Sequence, residues 1–326
     1  MTRNRSLLTL LVALFLVCLF GSPAVAEYPE KPITMYAVFA PGGSLDSSAR
    51  ALSTAAEKVL GQPIVIITKA GGAGTVGASV LASDKPDGYT LAAATTSTLA
   101  VVPLRRKVPY KPLADFTLIF GYIAPSSGIQ VRPDSPFKTF KDLVAYAKQN
   151  PGKIKYSSAG AGTPMHLAMA YVANKENIKW IHIPYKGSAA AGTACLGGHV
   201  DVVSSGELNM ALTGQLRPLA THTEKRIPQL PDVPTMLELG YNFFNETKFG
   251  IFGPAGMDPA VVKKLEDAFA VAVQDAKFKD LAYRYTLTPV SMKSKEFTEY
   301  TNNLWGVMTK RLQEAGLIKE PATQPR

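Results

Sequence analysis

The stretch K-A-G-G-A-G-T-V-G-A-S-V, residues 69–80, decides how the chain is read. Gly72, Gly74 and Gly77 spell G-x-G-x-x-G, with the apolar run P-I-V-I-I-T at 63–68 before them and a helix-like segment after. That order matches a dinucleotide-binding fingerprint, in which glycines let the backbone approach a pyrophosphate. The fingerprint also needs an acid about 20 positions on, after the next strand, to hold the ribose hydroxyls. The strand at 89–94 runs instead into Thr95-Thr96-Ser97-Thr98, and Asp84 and Asp87 lie before it. The motif also follows the second strand of its unit, not the first. No nucleotide and no other cofactor is expected. What survives is the physics of the loop. Backbone N–H groups and a helix N-terminus favour an anion by roughly 0.3–1 kcal/mol per charge, whether phosphate or carboxylate. The bland alternative is a tight turn needing positive φ.

Outward from this stretch the chain alternates strands and helices. A strand is predicted over 31–40. A helix follows over 45–60, with Leu45, Ala49, Leu52, Ala56 and Val59 on one stripe and Gly61 as its stop. Strands over 63–68 and 89–94 flank a short helix over 75–82, and Pro86-Asp87-Gly88 makes a turn. This β-α-β-α-β order predicts a parallel sheet with helices on both faces. The pattern then restarts. Thr139 and Asp142, spaced as a capping pair, open a helix over 140–149. Strands are predicted over 153–157, 180–183, 199–204 and 217–221. Helices are predicted over 164–175, with Thr163 as cap and Pro164 in its first turn, and over 188–196. A second α/β unit thus covers 122–222. A link with Pro228, Pro231 and Pro234 leads to a strand over 249–252 and two long helices, 259–276 and 294–315. In open α/β sheets ligands lie at the carboxyl ends of the strands, so the loops after the strands should face one cleft.

Composition bounds the class. Hydrophobic residues make up 46% and charged residues 18% of the 326, enough to bury a core. Residues 1–26 read as a signal peptide. Arg3 and Arg5 begin it, an apolar run covers 7–20, and Ala24-Val25-Ala26 is an A-x-A cleavage site. The run is shorter than the roughly 20 residues that span a bilayer. Cys18 lacks the small residues before it that lipoprotein processing needs. The mature protein is expected to be exported and periplasmic. Removing Arg3 and Arg5 takes the formal +10 to +8. Export and scattered basic residues argue against nucleic acid, whereas a positive field draws in anionic small molecules. Cys195 is then the one remaining cysteine, so no internal disulfide can form, and it is expected to be buried and inert.

Four loops share the character of residues 72–75. The first strand runs into Phe39 and the turn Pro41-Gly42-Gly43, with Ser44 or Asp46 opening the helix. The third ends at Thr96 and Ser97. In the second unit, one strand runs into Ser158, Gly160, Gly162, Thr163 and His166, and another into Lys186, Gly187 and Ser188. Together these small, hydroxyl-bearing loops suggest an anion site shared between two lobes. No G-x-S-x-G elbow is present. The four histidines, 166, 182, 199 and 222, have no metal-ligand spacing, and no metal is expected. No carboxylate pair stands out as acid and base. An exported enzyme using the loops as an oxyanion-type site lacks a nameable nucleophile, and a ligand sensor is a further alternative.

The segments FAPGGSLDSSAR, GGAGTVGASVLASDKPDGYT, SAGAGTPMHLA, IPYKG, GHVDVV, LPDVPTMLELG and FGPAGM resemble the periplasmic solute receptors of tripartite tricarboxylate transporters, the Bug proteins. The resemblance implies a monomeric, two-lobed Venus-flytrap (type II-like) α/β fold with a ligand cleft and two hinge crossings. Lobe one would be 27–121 plus 223–326, and lobe two 122–222. It implies an organic carboxylate ligand (a di- or tricarboxylate, an acidic amino acid or an aromatic acid) and membrane permease subunits as partner. Carried onto this chain, the carboxylate would be held by residues 39–46, including Phe39, Gly42, Gly43, Ser44 and Asp46, and by Gly72, Ala73, Gly74 and Thr75. Ser158, Gly160, Gly162, Thr163, His166, Lys186, Gly187 and Asp201 would tune selectivity. KAGGAG departs from the P-G-A-G-G found in many members, which bears on the set of N–H donors.

Overall fold

A computed structural model describes residues 28–206 and 208–319. The expected signal peptide and the C-terminal tail lie outside the described residues. In chain order the elements are β1 (Ile33–Ala37), α1 (Ser44–Leu60), β2 (Ile64–Thr68), α2 (Thr75–Leu81), β3 (Thr90–Thr95), α3 (Thr96–Ala100), β4 (Phe116–Ala124), β5 (Gly128–Val131), α4 (Phe140–Gln149), β6 (Lys155–Ser158), α5 (Pro164–Glu176), β7 (Ile181–Pro184), α6 (Ser188–Leu196), β8 (Val202–Ser205), α7 (Asn209–Leu212), β9 (Arg217–Thr221), β10 (Phe249–Pro254), α8 (Pro259–Ala272), α9 (Ala276–Arg284), β11 (Thr288–Lys293) and α10 (Ser294–Glu314).

Two sheets result, ordered β11-β4-β10-β3-β1-β2 and β7-β6-β8-β5-β9. Both are mixed, which corrects the expectation of a parallel sheet. The predicted units supply the parallel parts, β2-β1-β3 and β7-β6-β8. β5 is antiparallel to β8, and β10 to β3. The cause is entry direction. Strands within a β-α-β unit end at the cleft, whereas β5 and β10 enter their sheets from the other lobe and so start there. The expected division at 121/122 falls inside β4, which runs unbroken to Ala124. The chain crosses at 125–127 and returns near 245–247. Before that return Thr221 bridges Thr235, and Met236 and Tyr241 pack in the lobe-two core, so the expected limit at 222/223 also moves, toward 245.

Local chemistry matches the elements. Thr139 and Asp142 form the reciprocal capping box of α4. Gly61, at φ 69°, stops α1. The expected helix 259–276 divides, because Asp275 accepts from the N–H groups of Lys277 and Phe278 and starts α9 anew. Lobe one packs Met35, Leu52, Phe120 and Phe269 under α1 and α8, and Val38, Leu81, Phe252 and Phe297 on the other face. Lobe two packs Ile129, Leu143, Tyr156 and Val172 around its own sheet. A further cluster joins the lobes: Val101 and Leu104 meet Leu167 and Ala168 of α5, with Trp305 and Met308 of α10. No described helix is long and apolar enough to cross a membrane.

Candidate functional site

The lobes touch through their loops. Ala40 N–H donates to the Lys186 carbonyl at 2.9 Å. A Cβ placed on Gly160 would lie 3.4 Å from Ala73, and one on Gly206 would lie 3.3 Å from the Ser44 hydroxyl. Between these contacts is a cavity of about 50 Å³. One water needs roughly 10–15 Å³ by this measure, so the space suits a few waters or a compact ligand.

Three helices point their N-termini at the cavity. α1, of 17 residues, contributes Ser44, Leu45 and Asp46. Its N-cap, Gly43, makes no side-chain bond to the first turn. α5 contributes Pro164 and Met165 behind its cap Thr163, and α6 contributes Ser188. Aligned peptide dipoles place partial positive charge at each of these ends. Asp46 is 3% exposed, and its carboxylate is held by Arg50 at 3.0 Å and by Gly42 N–H at 3.1 Å. Its negative charge is therefore paired within α1. The hinge closes the cavity from behind, through Pro125, Ser126 and Ser127 on one crossing and Asn245 and Thr247 on the other.

Of the expected site residues, Phe39, Gly43, Ser44, Asp46 and Thr163 line this cavity. Gly42 makes the turn beside it at φ 81°. Lys186 and Gly187 press on Ala40, and the contact from Lys186 is its carbonyl. The opening motif sits elsewhere, on the seam between lobes. Gly74 N–H is spent on the Gly71 carbonyl, and Thr75 Oγ1 donates to the Gly72 carbonyl at 2.8 Å. Thr98 Oγ1 donates to the Ala73 carbonyl at 3.2 Å, and Ala73 meets Gly160. Gly77 has a packing role, since a Cβ there would lie 2.6 Å from Val38. Thr96 N–H donates to the Lys248 carbonyl and Thr96 Oγ1 accepts from Lys248 N–H, and Ser97 is buried behind it. Asp201 lies before β8 and accepts from Lys155 N–H at 2.8 Å. β8, parallel to β6, starts at the end of the sheet far from the cleft, so Asp201 does not join the cavity.

Ser158 and His166 support the lobe-two loop from behind. His166 Nδ1 accepts from Gly162 N–H at 3.1 Å, and its ring stacks on His182 at 4.2 Å. His182 bonds Ser158 Oγ at 2.7 Å. Burial, then the neighbouring His182 and Arg105, push His166 down to about 3, and burial pushes His182 down to about 4. Both rings are neutral at neutral pH. Burial raises the Cys195 thiol to about 12, so it is not a nucleophile.

The hinge residues were missed from sequence. Pro125-Ser126-Ser127 parts the apolar runs of β4 and β5, and Asn245-Glu246-Thr247 precedes β10. Each is a polar break between strands that belong to different sheets.

Comparison with known proteins follows this geometry. A Cupriavidus necator protein, "UPF0065 protein in gbd 5'region", is 35% identical over 306 residues, 92% of this chain and 93% of that one. The periplasmic binding protein BugD superposes with a TM-score of 0.84 at 29% identity, covering 89% of this chain and 99% of that chain. R. palustris Rpa4515, solved with adipate, superposes at 0.83 with 25% identity, covering 89% and 99%. The model of the tripartite tricarboxylate transporter family receptor matches residues 48–317. With its two mixed sheets closed over one cavity, the chain belongs to the tripartite tricarboxylate transporter receptor (TctC) family, that of the Bug proteins.

Proposed function

We propose that this chain is a periplasmic receptor that captures an organic carboxylate between its lobes and delivers it to the permease subunits of a tripartite transporter. It binds as a monomer and catalyses no reaction. The observation that carries this is the convergence of the α1, α5 and α6 N-termini, from opposite lobes, on one small cavity. Closing the lobes removes water from the anion, and N–H and hydroxyl bonds to a charged group are about twice as strong as neutral ones. Adipate in Rpa4515 supports a carboxylate over a phosphate. The ligand class is a di- or tricarboxylate, an acidic amino acid or an aromatic acid. The lobes rotate about the two crossings, at 125–127 and near 245–247.

The test is a thermal-shift and calorimetry panel of succinate, malate, citrate, adipate, glutamate and benzoate on the exported protein. Its mature N-terminus is expected at Glu27 by mass spectrometry. Saturable 1:1 binding of at least one acid, with no product formed, is expected. No shift with any acid, together with no small molecule carried through purification, overturns the proposal. Loss of uptake of the bound acid on deletion assigns transport; retained uptake assigns sensing instead.

A further inference from the structure

His222 follows β9, lies against both hinge crossings and is 0% exposed. Its backbone ties the crossings together. Its N–H donates to the Ser127 carbonyl at 2.8 Å, and its carbonyl accepts from Asn245 N–H at 2.6 Å. Its ring Nδ1 lies 3.2 Å from Ser127 Oγ. Its Nε2 is buried with no hydrogen-bond partner among the described residues. Ser127 lines the cavity.

We infer that the His222 ring donates from Nδ1 to Ser127 Oγ, and so aims the Ser127 hydroxyl proton at the bound anion. This rests on the carboxylate-receptor proposal above. Burial pushes His222 down to about 3, so the ring is neutral and carries one N–H. Two tautomers are possible. With the proton on Nε2, a donor is buried unpaired and bears its full desolvation penalty. Ser127 must then donate to Nδ1, and can only accept from the cavity. With the proton on Nδ1, the unpaired atom is an acceptor, which structures tolerate better than an orphaned N–H. Ser127 Oγ accepts from the ring, and its own proton is free for the cavity. Only this arrangement suits an anion, which accepts and does not donate. His222 is thus a positioning residue that makes Ser127 a donor. The sequence carried no sign of it, because positions 127 and 222, 95 residues apart, meet only where β5 pairs with β9.

Long-range 1H–15N correlation spectra of protein labelled with 15N-histidine read the tautomer directly. His222 is assigned by its loss in His222→Asn. A proton on Nδ1 at neutral pH is expected; a proton on Nε2 overturns the inference. The acid panel supplies the second arm. Ser127→Ala weakens the best acid by roughly 10- to 100-fold. His222→Phe weakens it by at least ~3-fold, and His222→Asn, which can place an amide N–H where Nδ1–H stood, recovers most of that loss. The double variant Ser127→Ala/His222→Phe binds no worse than Ser127→Ala alone. Additive losses, or a folded His222→Phe that binds like wild type, overturn the inference. Should His222→Phe not fold, the wild-type spectrum and Ser127→Ala still decide it. If wild type binds no acid, the receptor proposal falls, and the spectrum alone decides the tautomer.

Discussion

Gly187→Ala tests whether closure of the lobes sets ligand affinity. Gly187 caps α6 with extended backbone, φ 161° and ψ 167°, which alanine can adopt. Its new Cβ would lie 3.2 Å from Ala40 N and 3.4 Å from Ala40 Cβ, both across the seam between lobes. The lobes must part by a few tenths of an ångström, which loosens the 2.9 Å bond from Ala40 N–H to the Lys186 carbonyl. Weakening one such bond costs about 0.5–1.5 kcal/mol. Overpacking by a single methyl adds a cost near the low end of about 1–3 kcal/mol. Since both relax together, the total is about 1–2 kcal/mol, carried by the closed form alone. Titration calorimetry with the best acid of the panel should show affinity about 5- to 30-fold weaker. The open form gains no clash, so the ligand-free thermal midpoint should stay within about 1 °C, where a 1 kcal/mol loss of fold stability would lower it by about 2–4 °C. Affinity within about twofold of wild type refutes the closure argument, as does a ligand-free midpoint lowered by about 4 °C or more, which would place the cost in the fold.

Three further outcomes are expected. Gly74→Ala should destabilise the protein by about 1–3 kcal/mol in denaturant melts, because Gly74 sits at φ 90° and its Cβ would lie 2.5 Å from Thr98 Oγ1; a neutral result removes the strain argument. The same φ means that Gly74→Val cannot separate binding from folding. Burial holds His222 down at about 3 against an unfolded value near 6.5. A depressed histidine adds stability that is whole above pH 6.5 and drains as pH falls toward 3. Stability should therefore drop by about 1 kcal/mol per pH unit from this residue below pH 6.5, and His222→Asn should melt with a shallower pH dependence from 6.5 to 4; parallel curves refute it. Thr139→Ala should cost about 1 kcal/mol by removing the α4 capping box, with acid affinity unchanged; altered affinity would tie that distant helix to the cleft.

Much of this protein was legible locally. The stripe Leu45-Ala49-Leu52-Ala56, the Thr139–Asp142 pair and Pro164 behind Thr163 each specify a helix by short-range chemistry, and the helices form there. Family membership was carried by contiguous segments for the same reason. The turn at Gly42 and Gly43 lies at the cavity edge, since a loop that ends a β-α-β strand emerges at the carboxyl edge of the sheet. Asp201 and residues 72–75 show where that logic stops. Asp201 stands next to a strand but at its start, and the sequence motif does not say which end of the sheet a side chain occupies. The G-x-G-x-x-G loop emerges at the right edge, yet its Gly74 N–H goes to Gly71, its Gly72 and Ala73 carbonyls accept from Thr75 and Thr98, and Ala73 meets Gly160 of the other lobe. Strand direction in β5 and β10, the hinge wall of Ser127 and Asn245, and the His222–Ser127 pair all depend on contacts between residues tens of positions apart. Local spacing determines which segments become helix, strand or glycine turn. Which of those turns faces the ligand is decided only when the chain crosses twice between two sheets and brings their edges together.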